Sequence, residues 1–128
     1  MHISLELSGN HVAGKTGRHP LPSVDDMAIR FSAMGIDKSI EIFKSLKDEY
    51  KINILTDVHN VSDCEKVKDY VDILQIPAFL CRQTDLLIAA AKTDLIVNVK
   101  KGQFLDPLDM INVSKKIEES GNKLSLIH

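Results

Sequence analysis

Cysteine is scarce: Cys64 and Cys81 are the only two, without the CxxC spacing of a zinc knuckle and too few for a disulfide framework. Charge of one sign is lacking too. Sixteen basic residues against 18 acidic ones leave a net charge of −2 with the signs interspersed, which gives no electrostatic case for nucleic acid or an anionic membrane as partner. No apolar run approaches the roughly 20 residues that span a bilayer, and the first residues lack the apolar core of a signal peptide. The expectation is a cytoplasmic protein. With 44% apolar and 27% charged residues, the composition is that of a globular domain, and the length predicts one.

Order in the pattern changes near Gly35. Residues 1–34 are punctuated by Gly9, Gly14, Gly17, Pro20 and Pro22 and show no sustained apolar period, which predicts an irregular segment. From Ile36 onward Ile40, Phe43, Leu46 and Tyr50 fall at helical spacing, with Asp37 expected as N-cap. A strand follows over Ile52–Thr56. Ser62 and Glu65 have capping-box spacing and predict a helix to about Tyr70. Val71–Ile76 reads as a strand, Thr84 or Asp85 as the cap of a helix to Lys92, and Leu95–Val99 as a short β-branched strand of the kind buried on both faces. Asp106-Pro107 starts a helix that stops at Gly121, and Leu124–Ile127 begins a fourth strand.

Alternating strands and helices, repeating every roughly twenty to thirty residues, predict an α/β fold with a parallel sheet and right-handed crossovers. Two architectures fit: a small doubly wound sheet, or about three to four βα units of a (β/α)8 TIM barrel. The barrel needs at least about 200 residues, so this chain would be part of one, with apolar edges left open.

Several motifs are candidates for chemistry. Gly9–Thr16 satisfies the P-loop expression, but Gly17, Pro20 and Pro22 follow at once and spoil the helix whose N-terminus would hold phosphate. The match is read as accidental. Asp57 and His59 flank Val58 just past a strand, either as a water-orienting pair or as ordinary loop residues. Gln75, an amide within an apolar strand, must find hydrogen-bond partners from the backbone or a ligand. Arg82 in the next loop suits an anion, or a surface ion pair. Asn98 and Lys100 share a face at the end of the third strand, with Lys101 on the other, and a lysine there can hold an anionic substrate. Three successive strand ends of this kind describe an anion-binding mouth.

Thr56-Asp57-Val58-His59, the run from Gln75 to Leu86 (Q-I-P-A-F-L-C-R-Q-T-D-L), Ala90–Thr93 and Val97–Phe104 together closely resemble the 3-deoxy-D-manno-octulosonate 8-phosphate synthase family, also called 2-dehydro-3-deoxyphosphooctonate aldolases. The resemblance covers about Gly35 to Gly121. It implies a cytoplasmic (β/α)8 barrel, tetrameric in intact relatives, that condenses phosphoenolpyruvate with arabinose 5-phosphate and water, releasing phosphate, in lipopolysaccharide biosynthesis. Carried over residue by residue, Lys100 would bind phosphoenolpyruvate near the charge developing at C2. Gln75 would touch its carboxylate, and Ala78 would offer a backbone N–H to its phosphate. Asp57 and His59 would lie near the attacking water and the pentose, Asn98 and Phe79 would line the mouth, and Arg82 would stand at the rim, serving a neighbouring subunit.

The departures are equally specific. The family's K-A-N-R-S phosphate segment would fall at Pro22–Asp26, and none of its residues is there; of the R-G-x-G at 32–35 only Gly35 remains. The E-R-G whose arginine binds phosphate would follow His128, and Lys123–His128 drifts from the family pattern. The ligands of the divalent metal used by one subclass are absent, so no cofactor is expected in this chain. A well-matched middle between non-matching ends is the expectation for a split or frame-shifted reading frame. The two functional readings are a working part of the synthase and a remnant without activity of its own.

Overall fold

Each β-branched run is too short to cross a domain more than once, and each amphipathic stretch has one apolar side to bury. The computed structural model describes residues 3–4 and 35–127, and the statements below concern those residues. In chain order they form β1 (Ile3–Ser4), α1 (Ile36–Tyr50), β2 (Leu55–Asp57), α2 (Val61–Val67), β3 (Ile73–Ile76), α3 (Thr84–Ala91), β4 (Ile96–Val99), α4 (Met110–Glu119) and β5 (Ser125–Ile127). Short 3-10 turns cover Ala78–Leu80 and Pro107–Asp109.

The strands make one sheet in the order β1-β2-β3-β4-β5. β2 to β5 are parallel. β1 was not expected as a partner: it lies antiparallel on β2, with Ile3 opposite Thr56. The P-loop match at 9–16, read as accidental, and positions 22–26, where the family's phosphate segment would fall, lie outside the described residues.

The strand order decides between the two architectures. One helix separates each successive pair from β2 to β5, and every crossover moves one strand in the same direction. Right-handed crossovers that never reverse direction put their helices on one face; a doubly wound sheet needs a reversal to cover both. The fold is therefore α/β with the single-sided winding of a partial (β/α)8 barrel.

Side-chain alternation assigns the faces. Thr56, Leu74 and Val97 stand in one register row, and Ile76 and Val99 lie two residues on along their strands. All five are fully buried, in or beside the cluster that holds Leu86, Leu87, Ala90, Val113 and Ile117 of the helices. The alternate row, Asp57, Gln75 and Asn98, belongs to the opposite face, the one a closed barrel turns inward.

Local boundaries depart from expectation in ways that have physical causes. β2 begins at Leu55 rather than Ile52 because the Ile54 N–H donates to the Asp72 carboxylate (2.8 Å) instead of to a strand. Lys47 of α1 donates to the same carboxylate at 2.9 Å, so Asp72 ties the end of α1 to the entries of β2 and β3. Asp37 sits in the first turn of α1, whose N-cap is Gly35 at φ 78, a left-handed conformation that suits glycine. The cap of α2 is Asn60, not Ser62: its Oδ1 accepts from Asp63 N at 3.0 Å, while Asp63 Oδ2 accepts from His59 N at 3.1 Å. Glu65 instead pairs with Lys68 at 2.8 Å, and α2 ends at Val67. Neither Thr84 nor Asp85 caps α3, whose N-cap is Gln83. The start at Asp106-Pro107 holds, with Asp106 accepting from Leu108 N at 2.8 Å, although the first turn is 3-10.

Candidate active site

Parallel strands in register bring residues far apart in sequence side by side, and here they align three polar ones. Asp57 ends β2 opposite Gln75 of β3, and Gln75 lies opposite Asn98 of β4. Their relative exposures are 6%, 4% and 7%. Gln75 Nε2 donates to Asp57 Oδ1 at 2.6 Å, and Asn98 Nδ2 donates to Gln75 Oε1 at 2.9 Å. The partners that the buried amide of Gln75 requires thus come from its two neighbouring strands, not from the backbone. The three side chains form one hydrogen-bonded ladder across the sheet, near the C-terminal ends of the strands, where barrel enzymes hold their chemistry.

Beyond the ladder, backbone bonds carry the pairing one residue further. Val58 N donates to Gln75 O and Lys100 N to Ile76 O, both at 3.0 Å. The second bond fixes the backbone of Lys100 at the end of β4 and leaves its side chain exposed, with no hydrogen-bond partner among the described residues. Lys101 is engaged differently: its ammonium donates to the carbonyls of Gly102 and Leu105, each at 2.9 Å. One lysine closes the loop and the other is available.

The remaining candidates lie outside the ladder. His59 is exposed, and its backbone N–H rather than its ring is engaged. Ala78 opens the 3-10 turn after Pro77, so its N–H has no acceptor within that turn. Phe79 is 88% exposed and stacks on Phe104, with ring centroids 6.4 Å apart. Arg82 is exposed and lines a cavity of about 240 Å³ with Leu105, Asp109, Asn112, Val113 and Lys116, away from the ladder. The fold therefore joins Asp57, Gln75 and Asn98 by hydrogen bonds and places His59, Ala78 and Lys100 within three residues of them in sequence, while Phe79 and Arg82 take no part in those bonds.

Two features were not read from the sequence. Phe104 is the ring on which Phe79 stacks. Gly102 is buried against the β3 turn, where a Cβ would stand 3.0 Å from the Ala78 carbonyl oxygen and 2.7 Å from the Phe104 ring. The exposed ring can swing aside, but the carbonyl cannot. Gly102→Ala is expected to cost about 1–2 kcal/mol by overpacking, read as a lower urea midpoint. An unchanged midpoint would show that the loop does not rest on Ala78.

Thiol chemistry is not offered here. Cys64 and Cys81 are buried, and burial, reinforced by the charge of Asp63, pushes the Cys64 thiol up to about 11. No three His, Cys, Asp or Glu side chains gather into a metal-binding group among the described residues. No helix among the described residues is long and apolar enough to cross a membrane.

Comparison with known proteins agrees with the geometry. Relatives from Brucella ovis, Brucella canis and Brucella suis, each named 2-dehydro-3-deoxyphosphooctonate aldolase, are 62% identical over 89 residues. The matched stretch is 70% of this chain and 32% of each relative, so it spans about a third of the proteins it resembles. The family model for the DAHP synthetase I family matches residues 28–128. A one-sided parallel sheet with polar strand ends, read together with these matches, establishes that the chain belongs to the DAHP synthetase I family.

Proposed function

We propose that this chain supplies one wall of a barrel active site that condenses phosphoenolpyruvate with arabinose 5-phosphate and water, giving 3-deoxy-D-manno-octulosonate 8-phosphate and phosphate. The observation that carries the reading is the in-register Asp57–Gln75–Asn98 ladder, with the available Lys100 ammonium directly beyond it. An anion with one carboxylate and one phosphate needs donors at two places, and Gln75, Ala78 N–H and Lys100 are donors.

In this reading the second Nε2–H of Gln75 meets the carboxylate of phosphoenolpyruvate, and the Ala78 N–H meets its phosphate. Lys100 sets its positive charge beside C2, against the phosphate. As C3 bonds to the aldehyde carbon of the pentose, the aldehyde oxygen takes a proton and becomes a hydroxyl. Water adds its oxygen to the electron-poor C2 and gives up that proton. The C2–O bond breaks, with the ammonium meeting the negative charge that gathers on the departing phosphate. Such fixed charge lowers the barrier because it needs no reorganisation during the reaction. Asp57 accepts from Gln75 and borders the place of the attacking water, with exposed His59 toward the pentose. Asn98 lines the same mouth. Phe79, stacked on Phe104, lines that mouth too, and Arg82 stands at the rim, serving a neighbouring subunit in a homo-oligomer. The reading requires no metal from these residues, no nucleic acid and no membrane, and it places the protein in the cytoplasm.

Among the described residues four strands are parallel, half of the eight that close a barrel; in the second reading the 128 residues on their own do not turn over substrate. The experiment grafts residues 35–121 into the Brucella ovis relative in place of its matching stretch. Phosphate release from phosphoenolpyruvate that depends on arabinose 5-phosphate is the expected result. A folded chimera without it would refute the wall as a competent one.

A further inference from the structure

We propose that Asp57 is a positioning residue: acting through Gln75, it fixes the direction of the ladder and so decides which atom Asn98 leaves for a ligand. Which ligand arrives rests on the reading above, but the direction of the ladder is a property of this chain alone.

The argument follows from donor and acceptor counts. A carboxylate only accepts, whereas a primary amide presents an oxygen on one side and an NH2 on the other. With Asp57 Oδ1 at 2.6 Å, Gln75 must turn Nε2 toward β2. Its Oε1 is then committed to the β4 side and requires a donor, which Asn98 Nδ2 provides at 2.9 Å. The reversed ladder would set Oε1 against the carboxylate and Nε2 against Nδ2, two repulsive contacts at hydrogen-bond distance.

Nothing in the two amides alone prefers one direction, because a glutamine and an asparagine can pair either way. On β5, Leu126 stands opposite Asn98 and offers no polar side-chain group. The choice is made at β2, two strands away from its effect. What remains at the β4 end is Asn98 Oδ1 beside the second Nδ2–H, where the reversed ladder would engage the oxygen and leave two N–H donors. Asn98 accepts no hydrogen bond from the described residues, and none of their fully buried side-chain N or O atoms lacks a partner, so this oxygen reaches the surface. The ladder thus ends in an acceptor, and the group it recognises is a donor: a ligand hydroxyl or a bound water.

The test is NMR of the 15N-labelled full chain, read at the assigned side-chain NH2 groups of Gln75 and Asn98. In the parent chain each gives one set of protected signals. Asp57→Asn supplies a group that can donate or accept, so the ladder can run both ways. Both NH2 groups should then split into two sets or exchange on the order of ten times faster, as expected for the loss of a charge-assisted bond. Asn98→Ala, at the receiving end, should leave the Gln75 signals in place. A residue that merely supports packing would not produce this asymmetry. Unchanged NH2 signals in Asp57→Asn, or equal disturbance of Gln75 by both variants, would overturn the proposal. If Asp57→Asn does not fold, Asn98→Asp decides the matter. A second carboxylate would face Gln75 Oε1, so this variant should melt below Asn98→Ala, and equal melting would refute the fixed direction. No substrate enters these measurements, so their failure would leave the phosphoenolpyruvate reading standing, and an inert chimera would leave the ladder's direction standing.

Discussion

Replacing Gln75 with leucine is expected to destabilise the chain by about 3 kcal/mol, a large part of the 5–15 kcal/mol typical of a domain. Leucine matches the volume of glutamine and suits a buried strand, so packing alone predicts almost no change. The loss comes from the neighbours. The Asp57 carboxylate, 6% exposed, would lose its donor at 2.6 Å, and Asn98 Nδ2 would lose its acceptor at 2.9 Å. A buried charge left without its partner costs more than the bond itself contributed.

The same physics predicts a rescue. Replacing the whole ladder, Asp57→Val with Gln75→Leu and Asn98→Val, removes every orphaned group. Stability should return to the parent value or above it, since a well-packed apolar substitute for a buried polar network is often neutral or better. Urea unfolding of the single and triple variants measures both. A single variant as stable as the parent would show that the ladder is not the buried network described. A triple variant as unstable as Gln75→Leu would show that the strands need these groups for pairing. The expected pattern means that the ladder is kept for what it binds, at some expense to the fold.

The second large effect concerns Lys100. In the chimera, Lys100→Ala is expected to lower phosphate release by on the order of 10²–10³-fold, the usual loss when one preorganised charge at a reacting centre is removed. Lys101→Ala is the internal control. Its ammonium already holds two carbonyls, so its loss should lower stability and leave turnover within a fewfold of the parent. Equal kinetic losses from the two lysines, or a greater one from Lys101, would mean that the available ammonium is not the functional one.

Much of this was written in the sequence, and what was not has identifiable causes. The alternation of β-branched runs with amphipathic stretches is local, so the α/β class and the parallel strands were legible. So was the stop at Gly121, which takes φ 98. The polar residues at three strand ends were also visible, but proximity along the chain did not show which of them bond to one another. Asp57 reads with His59, Gln75 with Arg82 and Asn98 with Lys100, whereas the fold pairs Asp57, Gln75 and Asn98 with each other. Register between parallel strands is set by tertiary packing across intervening helices, and no local pattern carries it. Caps failed for a related reason. Asn60, Ser62 and Asp63 all suit an N-cap, and the choice among them depends on where β2 releases the chain. Asp72, which trims β2 by taking the Ile54 N–H, gave no signal in sequence because an acidic residue before a strand is ordinary.

The central claim is that these residues form one wall of a phosphoenolpyruvate site and need the rest of a barrel to act. The most direct measurement is phosphate release from phosphoenolpyruvate, with and without arabinose 5-phosphate, by the 128-residue chain and by the chimera in parallel. The account predicts pentose-dependent release by the chimera, its loss in Lys100→Ala, and none by the chain alone. Release by the chain alone above its own Lys100→Ala control would contradict it, and so would a folded chimera that releases none.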